Sequence, residues 1–142
     1  MLIDEKLVID RLERELQLEK LYKNTFDLWM YLKQKNKSIT KYLYNKGYSR
    51  VFVYGMNELG ARLVTEIDDS PVELVGVIDK CPYLMGDYDL YSPDDELPEA
   101  DLIVVTALYY YGEICNELKG KTSIPIISLL QLFDEAFGFC FS

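Results

Sequence analysis

An apolar run that stops at a glycine and resumes at once with helical spacing can fold in few ways. In this chain it reads RVFVYGMNELG, Arg50 to Gly60. Val51, Phe52, Val53 and Tyr54 make a short β-branched and aromatic run of strand type, whereas Leu59, Leu63, Val64 and Ile67 recur with the spacing of a helix face. A strand that bends into a helix through Gly-x-x-x-x-Gly opens a βαβ unit, and the start of such a helix can face a phosphate.

The downstream sequence continues the alternation. VELVGVID (Val72 to Asp79), DLIVVTA (Asp101 to Ala107) and SIPIISL (Ser123 to Leu129) read as buried strands, with a very short strand near Leu90. YGEICNELKG reads as a helix stopped by Gly120, and Leu130 to Phe137 as a final short helix. Strands and helices alternating at this spacing predict a parallel sheet of about four to five strands covered on both faces, half of a doubly wound α/β fold.

Upstream, residues 1–49 predict a helical arm and residues 50–142 the α/β domain. Met1 to Lys46 contains no Gly or Pro and is rich in Leu, Lys, Glu and Gln, which predicts one long helix from Ile3 to about Lys35. Ser38 is placed to cap a second, short helix bearing Ile39, Tyr42 and Leu43, with Gly47 as its stop. On the long helix, Leu2, Ile9, Leu12 and Leu16 fall on one side, and Leu18, Leu21, Tyr22, Leu28, Trp29 and Leu32 on roughly the opposite side. One body cannot bury both stripes of a straight helix about 45 Å long. The second stripe is therefore expected to pack on the chain's own sheet and the first to reach a partner, giving a homodimer held by Leu2, Ile9, Leu12 and Leu16.

Composition narrows the chemistry. The 142 residues are 49% hydrophobic and 27% charged, enough for an ordinary globular core. The longest apolar runs are far shorter than the roughly 20 residues of a membrane span, and the N-terminus lacks a signal-peptide layout, so the chain reads as cytoplasmic. Cys81, Cys115 and Cys140 are widely spaced and suggest neither a disulfide framework nor a zinc site. The absence of histidine excludes Ser-His-Asp and Cys-His catalysis. Residues 1–49 carry 10 Lys and Arg against 7 Asp and Glu, a net +3, whereas residues 50–142 carry 5 against 17, a net −12. So acidic a second half is a poor surface for nucleic acid.

In a dinucleotide-binding turn the first glycine permits the bend, the second lets the backbone approach a pyrophosphate, and the third allows close helix–strand packing. Gly55 and Gly60 fill the first and third roles, and Asn57 stands where the second is expected. Asp79, at the end of the second strand, is placed to accept ribose hydroxyls, with Lys80 the nearest cation. Thr106, Tyr109, Tyr110 and Tyr111 follow the next long strand, either stacking on a ligand or capping the crevice. Cys81 lies in the loop after Asp79.

YGMNELGARLVTEI, VELVGVID, LPEADLIVVTA and IPIISLLQL together resemble the small Rossmann-type, NAD(P)-binding-like domain attached to bacterial cell-surface polysaccharide and glycosylation proteins, over roughly Lys37 to Phe137. Such domains accompany family 2 glycosyltransferases, capsule sugar-nucleotide dehydratases and sugar acyltransferases. The resemblance implies a Rossmann-like fold and a place in glycan or sugar-nucleotide metabolism. No hexapeptide repeat or larger catalytic domain is present, and Tyr-x-x-x-Lys occurs only at Tyr31/Lys35 and Tyr42/Lys46, before the first strand. The expectation is an accessory module binding a nucleotide or nucleotide-sugar, with NAD(P) among the possible cofactors, at Gly55, Asn57, Gly60, Asp79 and Thr106, and without catalysis of its own. The alternative is an interaction protein with a vestigial nucleotide site that assembles through its arm.

Overall fold

In the computed structural model, which describes residues 3–138, helix α1 (Ile3–Gln34) runs 32 residues without a break. It ends where Asn36 turns left-handed (φ 57°) and the N–H groups of Asn36 and Lys37 donate back to the carbonyls of Lys33 and Leu32. Helix α2 (Ile39–Asn45) starts on Ser38, whose hydroxyl accepts the Lys41 N–H. Five parallel strands follow: β1 (Arg50–Tyr54), β2 (Glu73–Ile78), β3 (Leu90–Tyr91), β4 (Leu102–Val105) and β5 (Ile126–Ser128). Their order in the sheet is β3-β2-β1-β4-β5, so the direction of winding reverses between β1 and β4.

The crossovers are α3 (Glu58–Asp68) after β1, and a 3-10 turn at Leu108–Tyr110 leading into α4 (Tyr111–Leu118) after β4. Helix α5 (Leu129–Phe137) follows β5. Element ends differ from the sequence expectation: β5 begins at Ile126 rather than Ser123, and β4 ends at Val105 rather than Ala107. The 3-10 turn was not anticipated, and Leu129 opens α5 rather than ending β5, because the Ser128 hydroxyl accepts the Gln131 N–H and caps the helix there.

Alternation along the strands gives the sheet two buried faces. Val51, Val53, Val77 and Val104 meet Leu63 and Ile67 of α3, Leu132 and Phe133 of α5, and Ile39 and Leu43 of α2. On the other face Phe52, Tyr54, Ile78, Ile103 and Val105 meet Ile114 and Leu118 of α4. Trp29 and Leu32 of α1 join the first cluster, with Leu21, Tyr22, Phe26 and Leu28 packed around it. The Trp29 ring stands edge-on to Phe133 at 5.6 Å, and its Nε1 donates to Glu66 Oε2 at 3.2 Å. Lys33 Nζ pairs with the other Glu66 oxygen at 2.8 Å. Residues 4–17, in contrast, are all exposed. Leu2 and Cys140, with the FCFS end, lie outside the described residues. Among those described, no helix is long and apolar enough to cross a membrane.

Candidate functional site

The glycine turn is built by mutual contact. Gly55 has φ 101°, and a Cβ there would stand 3.0 Å from the Thr106 hydroxyl and 3.1 Å from Ala107. A Cβ on Gly60 would collide with the Gly55 carbonyl oxygen, so the first turn of α3 rests directly on the bend. The buried Thr106 hydroxyl lies within hydrogen-bond reach of the carbonyls of Tyr54 and Gly55. Thr106 therefore closes the turn from the β4 side.

Asn57 is the N-cap of α3. Its Oδ1 accepts the Gly60 N–H at 2.9 Å, and its Nδ2 donates to the Thr106 carbonyl at 3.0 Å. The side chain thus takes one of the helix-terminal amides that an anion would otherwise meet, and Glu58 adds a negative charge beside it. Asp79 is engaged in the same way: Oδ2 accepts the Met56 N–H at 2.8 Å and Oδ1 the Cys81 N–H at 2.8 Å. This carboxylate straps the end of β2 to the turn. Gly55, Asn57, Gly60, Asp79 and Thr106 are brought to one place, and the polar side chains among them bond mainly to the protein's own backbone.

Beside the turn, where the strand order reverses, lies a cavity of about 300 Å³ lined by Tyr54, Gly55, Asp79, Lys80, Ala107, Tyr110, Glu113, Ile114 and Glu117. The Lys80 ammonium pairs with Glu117 at 3.2 Å. Carboxylates outnumber the cation, which disfavours phosphate and favours groups that donate hydrogen bonds. Tyr54 is 4% exposed, and its hydroxyl has no hydrogen-bond partner among the described residues. Burial first, then the charges of Glu117 and Asp79, push its pKa up to about 12, so at neutral pH it is a donor.

Sequence reasoning missed Tyr54, Glu113 and Glu117 as crevice residues. A signal existed for the last two, because glutamates four positions apart share a face of α4. The three tyrosines divide: Tyr109 and Tyr110 stack edge-on at 5.2 Å and are exposed, whereas Tyr111 donates its hydroxyl to the Ile126 carbonyl at 3.2 Å. Only Tyr110 of these lines the cavity. The Tyr-x-x-x-Lys pairs stay on α1 and α2, each lysine over its own tyrosine ring, at 5.7 Å for Tyr31 and 5.9 Å for Tyr42. Cys81 is exposed, Cys115 is partly buried, and both are free thiols.

A second cavity of about 420 Å³ separates α1 from the start of α3, between Leu18, Tyr22 and Phe26 on one side and Asn57 and Leu59 on the other. Helix α1 also packs on the 3-10 turn. The arm thus leaves the body close to the glycine turn.

Five parallel strands in the order 3-2-1-4-5, a glycine turn after β1 and helices on both faces define a small Rossmann-like α/β fold carrying an N-terminal helical arm. Compared with protein-family models, with curated proteins and with solved structures, the chain finds no match.

Proposed function

We propose that this chain is an accessory Rossmann-like binding module, without catalytic activity of its own, that takes a nucleotide or nucleotide-sugar by its ribose or sugar hydroxyls. The observation that carries this reading is the buried, unpartnered Tyr54 hydroxyl beside a cavity at the reversal of strand order. Asp79, Glu113 and Glu117 line the cavity with acceptors for hydroxyl groups, and the Tyr54 hydroxyl, enclosed behind its wall, is the donor that a ligand seated there would draw on. The phosphates of such a ligand would gain little from the turn, where Asn57 already holds the Gly60 amide. The resemblance to domains of polysaccharide and glycosylation proteins supports a cytoplasmic role in sugar-nucleotide or glycan metabolism.

Thermal unfolding against NAD, NADP, UDP-sugars and coenzyme A tests the proposal. A ligand at 100 times its dissociation constant is expected to stabilise the wild type by about 2.7 kcal/mol. Tyr54→Phe is expected to remove most of that shift while remaining folded. No shift from any member of the panel overturns the reading.

A second reading has its own support. The Asn57 cap, the Asp79 strap and the bare outer half of α1 together suit an interaction protein with a vestigial nucleotide site, forming a homodimer through Leu2, Ile9, Leu12 and Leu16. A protein that dimerises and binds nothing in the panel would establish it.

A further inference from the structure

Beyond Leu16 the arm meets its own body; before it, residues 4–16 are exposed, and no described residue covers them. Ile9 (40% exposed), Leu12 (53%) and Leu16 (51%) are spaced three and four residues apart, which is the a/d spacing of a coiled-coil seam. At about 100° per residue this seam points roughly 160° away from the stripe of Leu18, Tyr22, Thr25, Trp29 and Leu32 that faces the body. Leu7 falls outside it, on the body-facing side.

Charge separates the possible occupants. Although residues 1–49 are net positive, residues 1–20 hold Lys6, Arg11, Arg14 and Lys20 against Asp4, Glu5, Asp10, Glu13, Glu15 and Glu19, which is 4 against 6, a net −2. The outer arm therefore has no electrostatic attraction to the acidic body of a neighbour.

We infer that the outer half of α1 pairs in parallel with the same segment of a second copy. The inference rests on reading the arm as an assembly surface and is independent of what the crevice binds. Parallel pairing stacks Ile9, Leu12 and Leu16 on their counterparts in three successive apolar layers, whereas antiparallel pairing keeps two such layers and sets either Leu16 against Glu5 or Ile9 against Glu19. It also brings Glu15 of each copy, at a position flanking the seam, to Lys20 of the other, in the next heptad. Because the body hangs on the far side of each helix, two copies meet seam to seam with their bodies on the outer flanks. Glu5 and Glu19, facing their counterparts at the ends, confine the seam to those three layers.

Sedimentation of the full chain at low salt, with Leu12→Asp, Glu15→Lys, Lys20→Glu and the double swap Glu15→Lys/Lys20→Glu, tests this. The wild type is expected to dimerise in the micromolar range, and Leu12→Asp to be monomeric with an unchanged unfolding midpoint at dilutions where the wild type is also monomeric. Each single swap is expected to weaken the dimer about tenfold, and the double swap to restore it. A wild type monomeric at every concentration overturns the pairing and leaves the arm to a different partner. A dimer that the double swap fails to restore overturns the parallel register alone.

Discussion

The two halves of α1 both carry an apolar stripe and meet opposite fates. Leu16 is 51% exposed and Leu32 is 1% exposed, on one unbroken helix with apolar residues in both halves. Neither hydrophobicity nor helix propensity separates them. The inner half has a shaped receptor: Phe133 meets the edge of Trp29, Glu66 receives Trp29 and Lys33, and the Arg62 guanidinium sits 4.9 Å over the Phe26 ring. The outer half presents its stripe on the opposite side, past the reach of the body. Burial is decided by a complementary surface, and a leucine without one stays in water.

The strongest way to break the comparison is to delete the anchor of the inner half. Trp29→Ala is expected to cost about 3–5 kcal/mol in urea unfolding followed by circular dichroism, through the lost ring and the unfilled space. Leu12→Ala at equal dilution is expected to stay within about 0.5 kcal/mol of wild type. Comparable losses in the two variants would mean that the outer half docks on the body after all.

Gly60→Ala is the next in size. Its Cβ would push α3 off the Gly55 carbonyl, and α3 carries Glu66, so the inner half of α1 should loosen with it. The expected loss is about 1–3 kcal/mol, together with faster amide exchange at residues 25–33 and unaltered exchange at 4–17.

The smallest substitution effect is read against pH. Residues 4–17 contain no tyrosine, whereas the body holds Tyr54 and Tyr111, both with pKa raised to about 12, by burial first. Between pH 10 and 12 the unfolded chain releases these protons and the folded one retains them, so stability is full below about pH 10 and falls as pH rises to 12. Tyr54→Phe is expected to flatten that decline and, by removing a buried hydroxyl without a partner, to raise stability at pH 7 by about 1 kcal/mol. A decline as steep as in wild type would place the titrating proton elsewhere.

Much of this architecture could be read from neighbouring residues. The two-residue alternation of VFVY and the helical recurrence of Leu59, Leu63 and Ile67 are local, and both survived into the fold. The arm's two stripes were equally legible, since they follow from helix geometry alone. Asn57 as the cap of α3 could have been read too, because an Asn three residues before the Gly60 amide is a helix-start signal. The remaining contacts join positions far apart in the chain: Met56 to Asp79 across 23 residues, Trp29 to Glu66 across 37, and Asn57 to Thr106 across 49. No periodicity encodes such pairings. The orphaned Tyr54 hydroxyl was hidden for the same reason, since its isolation depends on what α4 and β2 place around it.

Trp29 is the only tryptophan in the chain, and it sits at the inner end of α1 under Phe133. Its emission should therefore report the docking of that segment and the integrity of the sheet behind it, and be blind to events at the outer end of the same helix. Far-ultraviolet ellipticity sums over both ends. Heating or denaturant should consequently produce two unequal traces from one uninterrupted helix: an early, gradual loss of ellipticity as the uncovered turns fray, then a sharp step seen by both signals. The gap between the traces would measure directly how much of the helix has no body beneath it.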